Sequence, residues 1–264
     1  MIDLQNIHVT FNAGTPLETR ALKGIDLKVP EGEFLTVIGS NGAGKSTSLN
    51  SIAGIVPVGR GKVMVDDTNI TKWPVHKRSK IISRVFQDPK MGTCEDLSIL
   101  ENYAIACGRT KPKGFGFAVN KDIRAQATES LSVLGLGLEN RLNDKVGLLS
   151  GGQRQALSLL MATTGETKVL LLDEHTAALD PKTAAFVMDL TNRLVEELGL
   201  TVVMVTHSMS QALDTGHRTI MFHQGRIIFD ISGQERADME VKDLLDLFKK
   251  DQGQELADDS LLLG

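Results

Sequence analysis

The segment from Phe34 to Thr47 restricts the fold more than any other part of this 264-residue chain. Phe34-Leu35-Thr36-Val37-Ile38 is a nearly continuous apolar run, the pattern of a central parallel strand covered on both faces. It leads directly into Gly39-Ser40-Asn41-Gly42-Ala43-Gly44-Lys45-Ser46-Thr47, which satisfies the full phosphate-loop pattern between a strand and a helix. The glycines let backbone N–H groups curl around a β-phosphate, Lys45 brings a cation near the β and γ oxygens, and Ser46 can ligate magnesium. Further apolar strands at Ile81–Phe86, Val169–Leu172 and Thr201–Thr206 alternate with helical patterns, which predicts an α/β fold with a mostly parallel sheet.

Other stretches have a different character. Ile2–Phe11 and Ala21–Val29 alternate apolar and polar residues around the turn Asn12-Ala13-Gly14-Thr15-Pro16, which predicts an N-terminal antiparallel β lobe. From about Met91 to Gly147 the pattern is helical, with a capping box at Ser98-Ile99-Leu100-Glu101, and reads as a helical lobe inserted into a core that runs from 1 to 232. Met221-Phe222-His223 and Arg226-Ile227-Ile228-Phe229 flank Gln224-Gly225 as a hairpin should. The last 32 residues, 233–264, carry nine acidic and four basic side chains. Met239, Leu244, Leu245, Leu247 and Phe248 predict one apolar helix face there, with a frayed segment after Asp251.

Composition removes several classes of function. No apolar run approaches the roughly 20 residues that span a bilayer, and no basic segment followed by an apolar core opens the chain, so a cytosolic location is expected. Cys94 and Cys107 lack metal-ligand companions at short spacing and read as reduced thiols. A formal charge of −4 gives no general attraction to nucleic acid. The basic residues Lys72, Lys77, Arg78, Lys80, Arg84 and Lys90 read as a solvated face rather than a nucleic-acid patch.

Two more motifs carry chemistry. Val169-Leu170-Leu171-Leu172-Asp173-Glu174 sets two carboxylates at the C-terminal end of a buried strand, the edge where open α/β sheets bind ligands. Asp173 can orient a magnesium shell, and Glu174 can polarise the water that attacks the γ-phosphorus. Leu149-Ser150-Gly151-Gly152-Gln153 opens a second helix with backbone N–H groups suited to an anion.

With these three motifs in this order, the chain resembles the nucleotide-binding subunit of an ATP-binding cassette (ABC) transporter over roughly Ile2 to Ser232. The resemblance implies that Leu149–Gln153 is the signature motif, which presses Ser150, Gly151, Gly152 and Gln153 onto the γ-phosphate held by an opposite subunit. It implies that Gln87 is the Q-loop glutamine that meets magnesium or water, and that His207 is the switch histidine on the γ-phosphate. Ala178-Leu179-Asp180 resembles the D-loop along the dimer seam, and Phe11 stands where the family places an aromatic that stacks on adenine. Lys45, Glu174 and His207 are then the catalytic candidates, ATP the substrate, and Mg²⁺ the cofactor through Ser46, Gln87 and Asp173. One departure is visible. His175 follows Glu174 where the family commonly has proline, and it reads either as a tolerated turn residue or as a contact to the partner's D-loop.

The resemblance further implies a homodimer that powers a separate transmembrane permease from the cytoplasmic face of the membrane. The helical lobe, linked through Gln87, passes the motion to a cytoplasmic helix of that permease. A free-standing cassette resembles bacterial importers more than exporters. The segment 93–102 and the run Asp173-Glu174-His175-Thr176 resemble a subgroup that works with a lipoprotein solute-binding component, for substrates such as amino acids. The alternatives are an exporter cassette and a soluble ABC ATPase acting on ribosomes or DNA. Only 105 positions separate Lys45 from Ser150, too few for the long coiled coil of chromosome-acting relatives, and the chain has one cassette where ribosome-acting relatives usually have two.

Overall fold

The strand ahead of the phosphate loop, Phe34–Gly39, is buried at all six positions. It lies in a computed structural model that describes residues 1–110 and 118–252, with side chains up to Phe248 in the last helix. The chain forms two compact units, Met1–Arg78 with Gly199–Gly264, and Ser79–Leu198 between them in sequence.

In the first unit, β1 (Ile2–Phe11) and β2 (Thr19–Val29) pair antiparallel from Ile2↔Val29 to Phe11↔Thr19. Ile2, Leu4, Ile7 and Val9 are buried, so the alternation slips by one residue between Leu4 and Ile7. A break in register falls at the same place, where Asn6 takes a positive φ of 50°. That bulge keeps Ile7 and Val9 on the core side, since a strict two-residue period would have turned them to solvent. β3 (Phe34–Gly39) runs into the phosphate loop, and α1 (Lys45–Ala53) follows it. β4 (Arg60–Val65) pairs with β1, the short β5 (Thr68–Asn69) pairs with β4, and α2 (Val75–Arg78) closes the segment. The expected antiparallel N-terminal lobe is therefore present.

The second unit opens with β6 (Ile82–Val85), which pairs in parallel with β7 (Val169–Asp173). Between them come α3 (Ile99–Cys107), α4 (Lys121–Ser132) and α5 (Gly151–Thr163), and α6 (Pro181–Leu198) ends the unit. The predicted capping box forms: Ser98 Oγ accepts from Glu101 N, and Glu101 accepts from Ser98 N. Among the described residues of 91–147 the elements are helices and short 3₁₀ turns, with no strand.

Chain segments of the first unit resume with β8 (Thr201–Val205), α7 (Met209–Asp214), β9 (Arg218–His223) and β10 (Arg226–Ser232). β3 lies between β8 and β9, parallel to both. The hairpin expected around Gln224-Gly225 joins β9 to β10, with φ values of 44° and 81° at its two turn residues, as a type I′ turn requires. After α8 (Gly233–Ala237), α9 (Val241–Gln252) buries Leu244 and Phe248 against Ile38, Met209, Ala212, Met221 and Ile231. Leu245 joins that cluster from α9 as expected, and so does Val241; Met239 joins it from the connection between α8 and α9 and not from the expected helix face, and Leu247 is half-buried outside it. The segment beyond Gln252, where fraying was expected, lies outside the described residues.

Candidate nucleotide-hydrolysis site

In the first unit the pairing Val37↔Val205 brings two functional loops to one sheet edge. Thr206 N donates to Val37 O, so His207 leaves β8 next to the point where β3 becomes the phosphate loop. Gly39 must be glycine: its φ is 140°, and a Cβ there would lie 2.1 Å from Phe222 O. Lys45 is buried, and its Nζ donates to the carbonyls of Gly39 at 2.5 Å and Ser40 at 3.1 Å, which folds the cation back over its own loop. Ala43 and Gly44 are buried, whereas Asn41, Gly42 and Ser46 are exposed, Ser40 and Thr47 are partly so, and α1 starts with no side-chain cap. Its first-turn N–H groups thus have no side-chain oxygen capping them, the arrangement that favours an anion. Phe11, at the end of β1, is 39% exposed, which leaves ring surface for stacking.

His207 is half-buried on a loop locked from both sides. Thr206 Oγ1 donates to Gln211 Oε1 and accepts from Ser208 N, and Ser208 Oγ caps α7 by accepting from Gln211 N at 3.2 Å. The pattern Ser208-Met209-Ser210-Gln211 is the sequence signal for this cap.

In the second unit Val85↔Leu172 brings Gln87 and the pair Asp173-Glu174 out at the same strand ends. Gln87 is exposed two residues past β6. The Asp173 carboxylate is paired with the Arg84 guanidinium, which also stacks over the Phe86 ring at 4.6 Å. Glu174 has a φ of 50°, a left-handed conformation costly for a residue with a Cβ and often stored at reactive turns. His175, directly after it, is 1% exposed and hydrogen-bonds through Nε2 to Thr191 Oγ1 at 3.0 Å. A partner's D-loop cannot reach a side chain enclosed in this way, so that expectation for His175 is corrected: it is an internal anchor.

α5 starts with its own capping box. Ser150 Oγ accepts from Gln153 N, and Gln153 Oε1 accepts from Ser150 N, both at 3.2 Å. Ser150 and Gly151 are exposed, and Gly152 faces α6, where a Cβ would come within 2.2 Å of Thr183 Cγ2. Asp180 is exposed and accepts from Thr183 N at 3.1 Å, the bond that starts α6. The Thr183 hydroxyl and N–H hold its carboxyl below the usual range.

Several contributors were not legible. Arg84 and Arg78 had been grouped with a solvated basic face, and the structure corrects both. Arg78 is 3% exposed and donates to the carbonyls of Ser51, Ile52, Thr71 and Trp73, capping the end of α1. Burial lowers its guanidinium pKa. The signal available for Arg84 was a charge inside the apolar strand Ile82-Ser83-Arg84-Val85. Gln155 follows Gln153 and Arg154, and Thr191 precedes Asn192 and Arg193, so neither stands out in the sequence as a buried polar residue.

The fit for magnesium rests on donor chemistry. A serine hydroxyl, a glutamine amide and one carboxylate are hard oxygen donors of the kind that hold Mg²⁺ alongside phosphate oxygens and water. No group of three or more His, Cys, Asp or Glu suited to a metal occurs among the described residues, and such a site does not need one.

Residues 22–177 match the family described as ABC transporter. The chain belongs to this ABC transporter family. It is 40% identical over 252 residues to the tyrosine transport ATP-binding protein of Clostridioides difficile (strain R20291), covering 94% of this chain and 99% of that protein. It is 32% identical over 243 residues to the phosphonates import ATP-binding protein PhnC of Lactococcus lactis subsp. cremoris (strain SK11), covering 89% and 94%. Among solved structures it resembles a dimeric post-hydrolysis state of an ATP-binding cassette bound to ADP and Pi. That match has a TM-score of 0.75 at 31% identity and covers 88% of this chain and 98% of the other. This ABC ATPase therefore binds and hydrolyses ATP to power a transporter, on a P-loop α/β core. None of the helices described is long and apolar enough to cross a membrane.

Proposed function

We propose that this ABC ATPase drives the import of a small solute, an amino acid, through a separate permease fed by an extracytoplasmic solute-binding protein. The observation that carries the reading is near full-length similarity to a tyrosine transport ATP-binding protein, 40% over 94% of this chain. Two copies form a homodimer on the cytoplasmic face of the membrane. Lys45, Ser46 and the loop N–H groups of one copy grip each ATP, Phe11 stacks on adenine, and Ser150, Gly151, Gly152 and Gln153 of the other copy cover the γ-phosphate, with Asp180 along the seam. Glu174 takes the proton of the attacking water, and His207 fixes the γ-phosphate. Ser46, Gln87 and Asp173 would hold Mg²⁺, which when bound would supply charge neutralisation at the phosphate oxygens.

The second unit also offers a place for the permease to push. A cavity of about 270 Å³ is lined by Met91, Cys94, Ile105, Ala106 and Arg109, with Met91 68% and Ile105 56% exposed. Its exposed apolar side chains suit the apolar face of an amphipathic cytoplasmic helix of the permease, while Arg109 is engaged internally with Ser83 Oγ and the carbonyls of Met161 and Thr164. Against the nucleic-acid alternative, two of the six cations in the supposed patch are turned inward to hold carbonyls and Asp173.

The test is uptake by vesicles that carry the permease and solute-binding protein co-purifying with this chain, with the cassette and ATP in the lumen. Labelled amino acids should accumulate inside only with the intact cassette, and Lys45→Ala should abolish accumulation. ATP-driven loss of label from preloaded vesicles, or co-purification with ribosomes and not with a membrane protein, would contradict the proposal.

A further inference from the structure

One buried amide in the second unit touches both turns that carry the proposed hydrolytic groups. Gln155, on α5, is fully buried. Its Nε2 donates to Phe86 O at 3.0 Å and to His175 O at 2.6 Å. Phe86 immediately precedes Gln87, and His175 immediately follows Glu174. The opposite amide orientation would set Oε1 against two carbonyl oxygens, so the donor role is fixed by its neighbours. Oε1 is itself buried with no hydrogen-bond partner among the described residues.

The turn after Glu174 is anchored a second time. Thr191 Oγ1 gives its only proton to Val187 O at 2.7 Å, so in the bond to His175 the imidazole Nε2–H is the donor. His175 is thereby pinned through its carbonyl to α5 and through its ring to α6. Between these pins and β7 stands Glu174 in its left-handed conformation.

We infer that Gln155 is a positioning residue for ATP hydrolysis: its amide fixes the backbone beside Gln87 and beside Glu174, and the His175–Thr191 bond completes the brace. The inference rests on the assignment of Glu174 as the base. Gln155 touches neither nucleotide nor water. It holds the two turns in mutual register on the helix that Ser150 caps, so that the carboxylate of a strained residue stays aimed. Displacement of a catalytic group by about 1 Å costs on the order of 100-fold in rate, so loss of the brace should reach kcat before it reaches affinity.

The test uses the full chain and four variants. Gln155→Met removes the amide at similar volume, Thr191→Val removes the hydroxyl at similar shape, Thr191→Ser restores it, and Glu174→Gln reports on the base. We expect kcat to fall about 20-fold in Gln155→Met and about 5-fold in Thr191→Val, with KM for ATP changed less than about two-fold, and Thr191→Ser to lie within about two-fold of the parent. Parent-like kcat in Gln155→Met beside an inactive Glu174→Gln would overturn the brace and leave the base standing. An active Glu174→Gln would instead remove the base assignment. Should Gln155→Met fail to fold, the threonine pair decides: equal rates in the valine and serine variants contradict the inference, and a rate loss confined to valine supports it.

Discussion

Two helices of this ABC ATPase begin at glycine-containing loops expected to meet phosphate, and they begin in opposite ways. α1 starts after Gly44 with no side-chain cap, while Lys45 lies back over the loop carbonyls. α5 starts at Ser150 inside a closed capping box with Gln153. An uncapped helix start leaves N–H groups for which an anion is the natural partner. A capping box satisfies two donors internally and contributes about 1 kcal/mol to the helix. In the proposed function the phosphate loop is then a standing site, and the signature tip a conditional one whose helix start is satisfied without ligand. Under the proposed shared site this asymmetry has a use: the face that keeps the nucleotide is the uncapped one, and the face that lets go is the one already capped by its own side chains.

The comparison can be broken most severely through hydrolysis. Glu174→Gln should lower kcat at least about 100-fold while ATP binding persists, because the water loses its proton acceptor; steady-state phosphate release beside calorimetry checks both halves. Next comes the standing site: Lys45→Ala should weaken ATP binding about 30-fold, the worth of charge-assisted bonds to phosphate, whether the protein is dilute or concentrated. The conditional site should behave otherwise. Ser150→Ala should leave ATP affinity of the dilute chain unchanged, lower kcat about 10-fold, and cost about 1 kcal/mol of stability through loss of the cap, read by urea unfolding. The smallest effect belongs to Gln153→Ala, which opens only half of the box and should lower stability by about 0.5 kcal/mol. Equal losses of ATP affinity from Ser150→Ala and Lys45→Ala in dilute protein would erase the distinction between the two helix starts.

The parts of this molecule that could be read in advance are those where local chemistry dictates the residue. Gly39 has no steric alternative beside Phe222 O, the Ser98–Glu101 box needs its two residue types at that spacing, and β3 and β8 are apolar because both faces are covered. The unread parts depend on long-range packing. Arg84 looked like a surface cation until β7 brought Asp173 beside it, and Arg78 became the cap of a helix 25 residues earlier. His175 looked open to a partner because no pattern near Glu174 announces that Thr191, 16 positions on, closes over its ring. The slip between Leu4 and Ile7 was legible only as alternation, since a bulge hides in an otherwise ordinary strand.

The account turns on whether the α5 tip of one copy covers ATP held by the α1 loop of another. A photoreactive ATP analogue with its azide on the γ-phosphate, added to Glu174→Gln chains mixed with isotopically heavy chains carrying both Lys45→Ala and Glu174→Gln, answers this directly. With the analogue held near the Kd of the intact loop, a loop weakened about 30-fold stays almost empty, so label on the heavy Leu149–Gln153 peptide, delivered from the light chains, is the predicted result. Label confined to the light chains, with the heavy peptide unmodified, would contradict the shared site.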